Sequence, residues 1–96
     1  MTRKEILDYI SNLDISNVLI YDIKKYVNMF FVKYFDIADL YKEGNYYNPQ
    51  LDELNKLYIK TVSYIYALLR AGILKGDEFS EIEGLLWGMY SSMEVD

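Results

Sequence analysis

Apolar residues recur along this chain with the 3.6-residue period of helices, and four segments carry the pattern. From Arg3 to Asn12, the residues Ile6, Tyr9, Ile10 and Leu13 share one face, and Thr2 followed three residues on by Glu5 has the form of a capping box. After a turn at Leu13-Asp14-Ile15, Ser16 is placed to cap a second helix that reaches Glu43. Its stripe of Leu19, Ile23, Tyr26, Val27, Phe30, Tyr34, Ile37, Ala38 and Tyr41 falls within about 140° of a helical wheel. No Gly or Pro interrupts that helix, which at the standard rise is roughly 40 Å long.

Gly44 stops the second helix, and Asn48 with Pro49 opens a third as N-cap and first helical residue. Asp52 and Glu53 lie in its first turn, where the helix dipole favours acids. Leu51, Leu54, Tyr58, Val62, Ile65 and Leu69 form its stripe, and Gly72 ends it. Ile73-Leu74-Lys75-Gly76 turns the chain, Asp77 is placed to cap a fourth helix, and Phe79, Ile82, Leu85, Leu86, Met89, Tyr90 and Met93 line one side of it. No strand period competes and no internal repeat is found. The expectation is a single domain over residues 1–96, an all-α bundle of about four helices at approximately 3–12, 16–43, 49–71 and 77–93. Short connections predict antiparallel neighbours.

Composition agrees with a folded domain, since 52% of the 96 residues are hydrophobic and 26% charged. The opening MTRKEILDYI has a basic pair but no apolar run before Asp8, so no signal peptide is expected. The longest fully apolar run is Met29 to Val32, far short of a membrane span. A cytoplasmic protein is the expected setting.

The absence of Cys and His removes thiolate ligands, the commonest general base and the commonest metal ligand together. The carboxylate pairs Asp36/Asp39 and Glu78/Glu81 lack the His that a di-iron bundle requires, and no calcium loop or phosphate-binding Gly-rich loop is present. No nucleophile has a marked base. The expectation is a protein that is not an enzyme, with no catalytic residues, no cofactor and no metal.

Charge and leftover surface point to binding. The net charge is −5, yet residues 1–76 hold ten bases against nine acids, while residues 77–96 hold six acids and no base. Such a surface repels nucleic acid and favours a basic protein. Asp77, Glu78, Glu81 and Glu83 are therefore candidate partner-binding residues, although the helix dipole accounts for acids in a first turn by itself. Trp87 and the loop pair Tyr46-Tyr47 are the candidate anchors, because Trp and Tyr give large rigid contact area.

Other apolar surface is left over. On the second helix, Tyr21, Met29, Val32 and Phe35 project away from the core stripe; either the first or fourth helix covers them, or they form a partner or dimer surface. The third helix has a wide apolar arc, with Leu57, Tyr64 and Leu68 on one flank and Ile59 and Tyr66 on the other, as expected of a central helix. On the fourth, Ser80, Gly84, Gly88 and Ser91 make a small-residue stripe, suited to a self-association seam or to close internal packing.

Within LLRAGILKGDEFSEIEGLL, the residues Gly72, Ile73, Glu78 and Phe79 resemble the helical hairpin of colicin D-type immunity proteins, over about a fifth of the chain. That resemblance implies a small acidic helical protein that blocks a basic RNA-cleaving toxin. Phage-encoded anti-CRISPR proteins are similar in size, charge and lack of catalytic residues as a class. The function expected is a non-enzymatic inhibitor, of immunity or phage anti-defence type, that sets its acidic fourth helix against a basic nuclease, toxin or CRISPR-type effector. The alternative is a self-associating structural or adaptor subunit, a homodimer or larger oligomer, using Gly84, Gly88, Tyr21, Met29, Val32 and Phe35. Direct nucleic-acid binding and a membrane span are not expected.

Overall fold

The computed structural model of the chain describes residues 2–42 and 50–94, with the backbone alone described at 41, 42, 50 and 92–94. These residues form an all-α bundle of α1 (Arg3–Ser11), α2 (Asn17–Lys42), α3 (Gln50–Arg70) and α4 (Gly76–Glu94). The expected stop at Gly44, the start at Asn48-Pro49, the Tyr46-Tyr47 anchors and the acid Asp96 lie outside the described residues, as do the side chains of Tyr41, Met93 and Glu94.

The helix ends follow from local chemistry. Thr2, in extended backbone, accepts from the Glu5 N–H at 3.2 Å, and its hydroxyl donates to the Glu5 carboxylate at 3.1 Å. Ser16 accepts from the Leu19 N–H at 3.3 Å and so starts α2. Gly72 ends α3 in the left-handed region, at a φ of 77°. The Ile73 N–H then reaches back to the Leu68 carbonyl at 2.9 Å, and the Gly72 N–H to that of Leu69 at 3.0 Å, the paired bonds of a Schellman motif. A side chain at Gly72 would be strained there.

The start of α4 corrects the expectation for Asp77. The helix opens one residue earlier, at Gly76, and the Lys75 carbonyl accepts its first bond, from the Phe79 N–H at 3.0 Å. Glu78, three residues beyond Lys75, is the acid that reaches back, accepting from the Lys75 N–H at 2.8 Å. Asp77 therefore sits inside the first turn rather than capping it.

Cross-contacts show each neighbour running antiparallel to the last. Arg3 meets Asn28, and Lys24 meets Ser11, across α1 and α2. The Lys33–Glu53 ion pair and the Tyr26–Tyr64 ring contact span α2 and α3. Tyr58 meets Trp87, and Tyr66 meets Phe79, across α3 and α4. The bundle is 43 Å in its longest dimension, close to the roughly 39 Å that 26 helical residues span.

A single core runs through the bundle. Ile6 and Ile10 of α1, Ile23, Val27, Phe30 and Ile37 of α2, Leu54 and Ile65 of α3, and Ile82 and Leu86 of α4 are fully buried. Phe31, outside the expected stripe, is buried because α1 lies across it, with the Arg3 guanidinium 5.9 Å from its ring centre. Leu68, read as a flank, is core. Thr61 is buried despite its hydroxyl, which donates to the Leu57 carbonyl at 2.7 Å and so enters the core satisfied.

Cover is incomplete on two faces. α3 is central, between α2 and α4, but its outer edge at Ile59 stays exposed. The outer face of α2 is not covered by α1 or α4: Tyr21 is 67%, Val32 48%, Phe35 47% and Met29 39% exposed. α1 is too short to blanket it and α4 packs on the far side of α3. Phe30→Ala is expected to lower unfolding stability by about 3–5 kcal/mol, whereas Ile59→Ala is expected to change it by less than about 0.5 kcal/mol, both read from urea unfolding.

Candidate functional site

The α3–α4 hairpin carries the acidic helix. Leu74, buried in the turn, pins the connection to the core, and the bonds around Gly72 and Lys75 fix where α4 begins. Ile82, Leu86 and Tyr90 face inward. With those positions set, about 100° per residue dictates what the other side presents.

The four candidate acids do not form one face. Glu83 and Trp87 fall on the flank toward α3, whereas Asp77, Glu78 and Glu81 lie on the opposite flank, toward the end of α1. The small residues Ser80 and Gly84 separate them. Tyr58 of α3 donates to the Glu83 carboxylate at 3.1 Å and meets Tyr90 and Trp87 with ring centres 5.2 and 6.0 Å away. Trp87 also sits edge-on to Tyr90 at 6.3 Å, yet remains 49% exposed. It is thus held in place on one side and open on the other.

Burial, then the hydrogen bond to Glu83 and that residue's charge, push the Tyr58 hydroxyl up from 10.0 to about 12. On the other flank the Tyr9 hydroxyl is raised by burial and then by the charges of Glu78, Asp77 and Glu81, which places α1 beside that acidic end. Tyr64 is raised by burial and by Asp22, to which it donates at 3.3 Å.

Two of the four acids thus have work within the fold, Glu78 as a cap and Glu83 as the acceptor of Tyr58. Asp77 and Glu81 are exposed. Among the described residues the single ion pair within 4.0 Å is Lys33–Glu53, so none of Asp77, Glu78, Glu81 and Glu83 is paired with a described base. No group of three or more acids converges to hold a metal, and no helix is long and apolar enough to cross a membrane, again among the described residues.

Ser80 and Gly84 of the small-residue stripe line a shallow depression of about 310 Å³, with Glu81 and Leu85 beside them. A Cβ added at Gly84 or Gly88 would meet nothing within 4 Å, so close internal packing does not explain these glycines. A larger groove of about 620 Å³ runs between α1 and the outer face of α2, with Leu7, Ile20, Tyr21 and Met29 as its apolar wall and Lys24 and Lys25 at its rim. Lys24 and Lys25 are adjacent in the sequence, and that Leu7 and Ile20 meet beside them follows from how α1 crosses α2. Comparison with protein-family models, curated proteins and solved structures returns no match, so the functional reading rests on these surfaces.

Gly84→Ala and Gly88→Ala are each expected to raise unfolding stability, by up to about 1 kcal/mol; a loss in denaturant unfolding would reveal a neighbour at the helix surface. Tyr58 provides a pH test. Its proton is held more tightly in the folded chain, so its contribution is intact below the usual value of 10.0 and is lost as pH rises toward about 12. Stability measured by urea unfolding across that window is expected to fall less steeply in Tyr58→Phe than in the unaltered chain.

Proposed function

We propose that this chain is a non-enzymatic protein-binding inhibitor, of immunity or phage anti-defence type, that sets the outer side of α4 against a basic nucleic-acid-handling partner such as a nuclease, toxin or CRISPR-type effector. The observation that carries this reading is the half-exposed Trp87 standing next to Glu83, on a helix whose acids Asp77, Glu78, Glu81 and Glu83 form no ion pair with a described base. Basic clefts that hold phosphate also attract carboxylates, and the long-range part of that attraction speeds association and makes it salt-dependent. Trp87 supplies what charge alone does not, a rigid apolar anchor steadied by Tyr58 and Tyr90. Asp77 and Glu81 supply the steering charge, and Glu83 sits next to the anchor with its orientation set by Tyr58. Tyr46 and Tyr47 are further anchors on chemical grounds. Glu78 is the weakest member of the set, because its carboxylate already closes the start of α4.

The test is capture of a partner from cells that express the protein, using unaltered bait beside Asp77→Lys/Glu81→Lys and Trp87→Ala baits. A basic nucleic-acid-binding protein is expected on the unaltered bait, released by moderate salt. The charge-reversed bait should associate more slowly and lose its salt dependence, while Trp87→Ala is expected to weaken affinity by about 30-fold or more, the size of a hot-spot loss. Equal affinity and equal salt dependence for all three baits would contradict the reading.

A further inference from the structure

The outer face of α2 has an internal symmetry. Val18, Lys25 and Val32 repeat every seven residues, and so do Tyr21, Asn28 and Phe35, in the alternating three-and-four spacing of a coiled-coil seam. At about 100° per residue these positions fall opposite the buried stripe of Ile23, Val27 and Phe30. Val18 and Tyr21 are the most exposed large hydrophobics of the described chain, at 70% and 67%. The seam reads the same in both directions by chemical type: apolar, apolar, polar, polar, apolar, apolar.

We infer that this face is the two-fold interface of a homodimer in which α2 of one copy lies antiparallel along α2 of another, with Phe35 of each copy seated in the α1–α2 groove of its mate. Antiparallel pairing about the midpoint of the seam matches Val18 with Phe35, Tyr21 with Val32 and Lys25 with Asn28. Each apolar residue then meets an apolar one, and the two polar positions share a layer. A parallel pair would instead set Lys25 directly against Lys25, a like-charge contact at the centre of the seam. A polar residue at such a position specifies register and orientation at some cost in stability.

The groove supplies the second observation. Phe35 lies on the same side of α2 as Lys24 and the groove, but beyond its end. The two-fold operation carries the partner copy's Phe35 to the level of Val18 and Tyr21, where Leu7 and Ile20 form the apolar wall. A closed two-fold contact makes this insertion twice with one patch, which a foreign helix would match only once. The Asn28 side chain is already oriented by the Arg3 guanidinium, which donates to its Oδ1, and the second lone pair of that oxygen is available for the Lys25 ammonium of the mate. This inference uses no residue of α4 and stands apart from the proposed inhibition.

Sedimentation equilibrium of the full chain from micromolar to millimolar concentration is expected to show a monomer–dimer equilibrium, and Val32→Glu to raise the dissociation constant by about 30-fold or more with helicity unchanged by circular dichroism. Because the chain has no cysteine, orientation can be read by cross-linking. A mixture of Tyr21→Cys and Val32→Cys chains is expected to form a disulfide dimer under mild oxidation. Tyr21→Cys alone is expected not to, because its counterpart lies roughly 16 Å away along the seam. A monomer at every concentration, a dimer indifferent to Val32→Glu, or self-linking of Tyr21→Cys without the mixed product would each overturn the inference.

Discussion

The fold depends on α3 serving two neighbours at once. Tyr58 shows this most plainly, since its ring touches Phe30 of α2 and Tyr90 and Trp87 of α4, and its hydroxyl holds Glu83. Leu54 and Ile65 vanish completely into the same layer. A chain of this length makes one core, and α3 sits in the middle of it. α2 and α4 are then outer helices with one buried side each. Short α1 crosses α2 at Phe31 and cannot cover the rest of it. The uncovered sides of α2 and α4 are where binding chemistry remains.

Those two sides differ in kind. α2 turns out an apolar seam with a basic rim. α4 turns out small residues and acids with a single tryptophan. Asp77, Glu78, Glu81 and Glu83 form no ion pair with a base among the described residues, and the ten bases of the chain all precede the six acids of the last twenty residues in sequence. This separation gives the molecule a charge asymmetry with no fully buried charge among the described residues, so it costs little in folding. Asp77 and Glu78 even gain from the dipole at the start of α4, by about 0.3–1 kcal/mol each. An acidic helix start thus costs little to maintain, and the half-exposed Trp87 further along the same helix is the part that stability does not explain.

Much of this was legible in the residue pattern. The helices fall where the apolar period and the signals at Thr2, Ser16 and Gly72 put them, because each of those signals has a local cause: a hydroxyl acceptor, or a left-handed turn. What eluded the pattern was tertiary. Phe31 lies off the stripe and is buried only because α1 crosses it, whereas Thr61 lies on the α3 stripe between Leu54 and Ile65 and its hydroxyl, bonded to the Leu57 carbonyl, tolerates that burial. Periodicity says nothing of Phe31, and it places Thr61 inward only if a hydroxyl residue is admitted to the stripe. The start of α4 was missed by one residue because Asp77 and Glu78 are both good acceptors, and three-residue spacing from Lys75 selects the second. The sequence groups the acids of α4 together, yet Glu83 and Glu81 point to opposite flanks once Ile82 is committed to the core. The groove between α1 and α2 could not be read at all, since it depends on the angle at which two helices meet.

The central claim is that completion of the core leaves Trp87 open to solvent next to Glu83, on a helix whose described acids have no basic partner. Trp87 is the single tryptophan of the chain, so its fluorescence reports on that surface alone. Quenching by cesium and by iodide at matched ionic strength measures exposure and local sign together. Cesium is expected to quench markedly better than iodide after each is corrected for its efficiency on free tryptophan, with the gap closing as added salt screens the field over about 10 Å. If neither ion quenched, Trp87 would be sealed; if iodide matched or exceeded cesium, the acids would be neutralised, and either result would contradict the account.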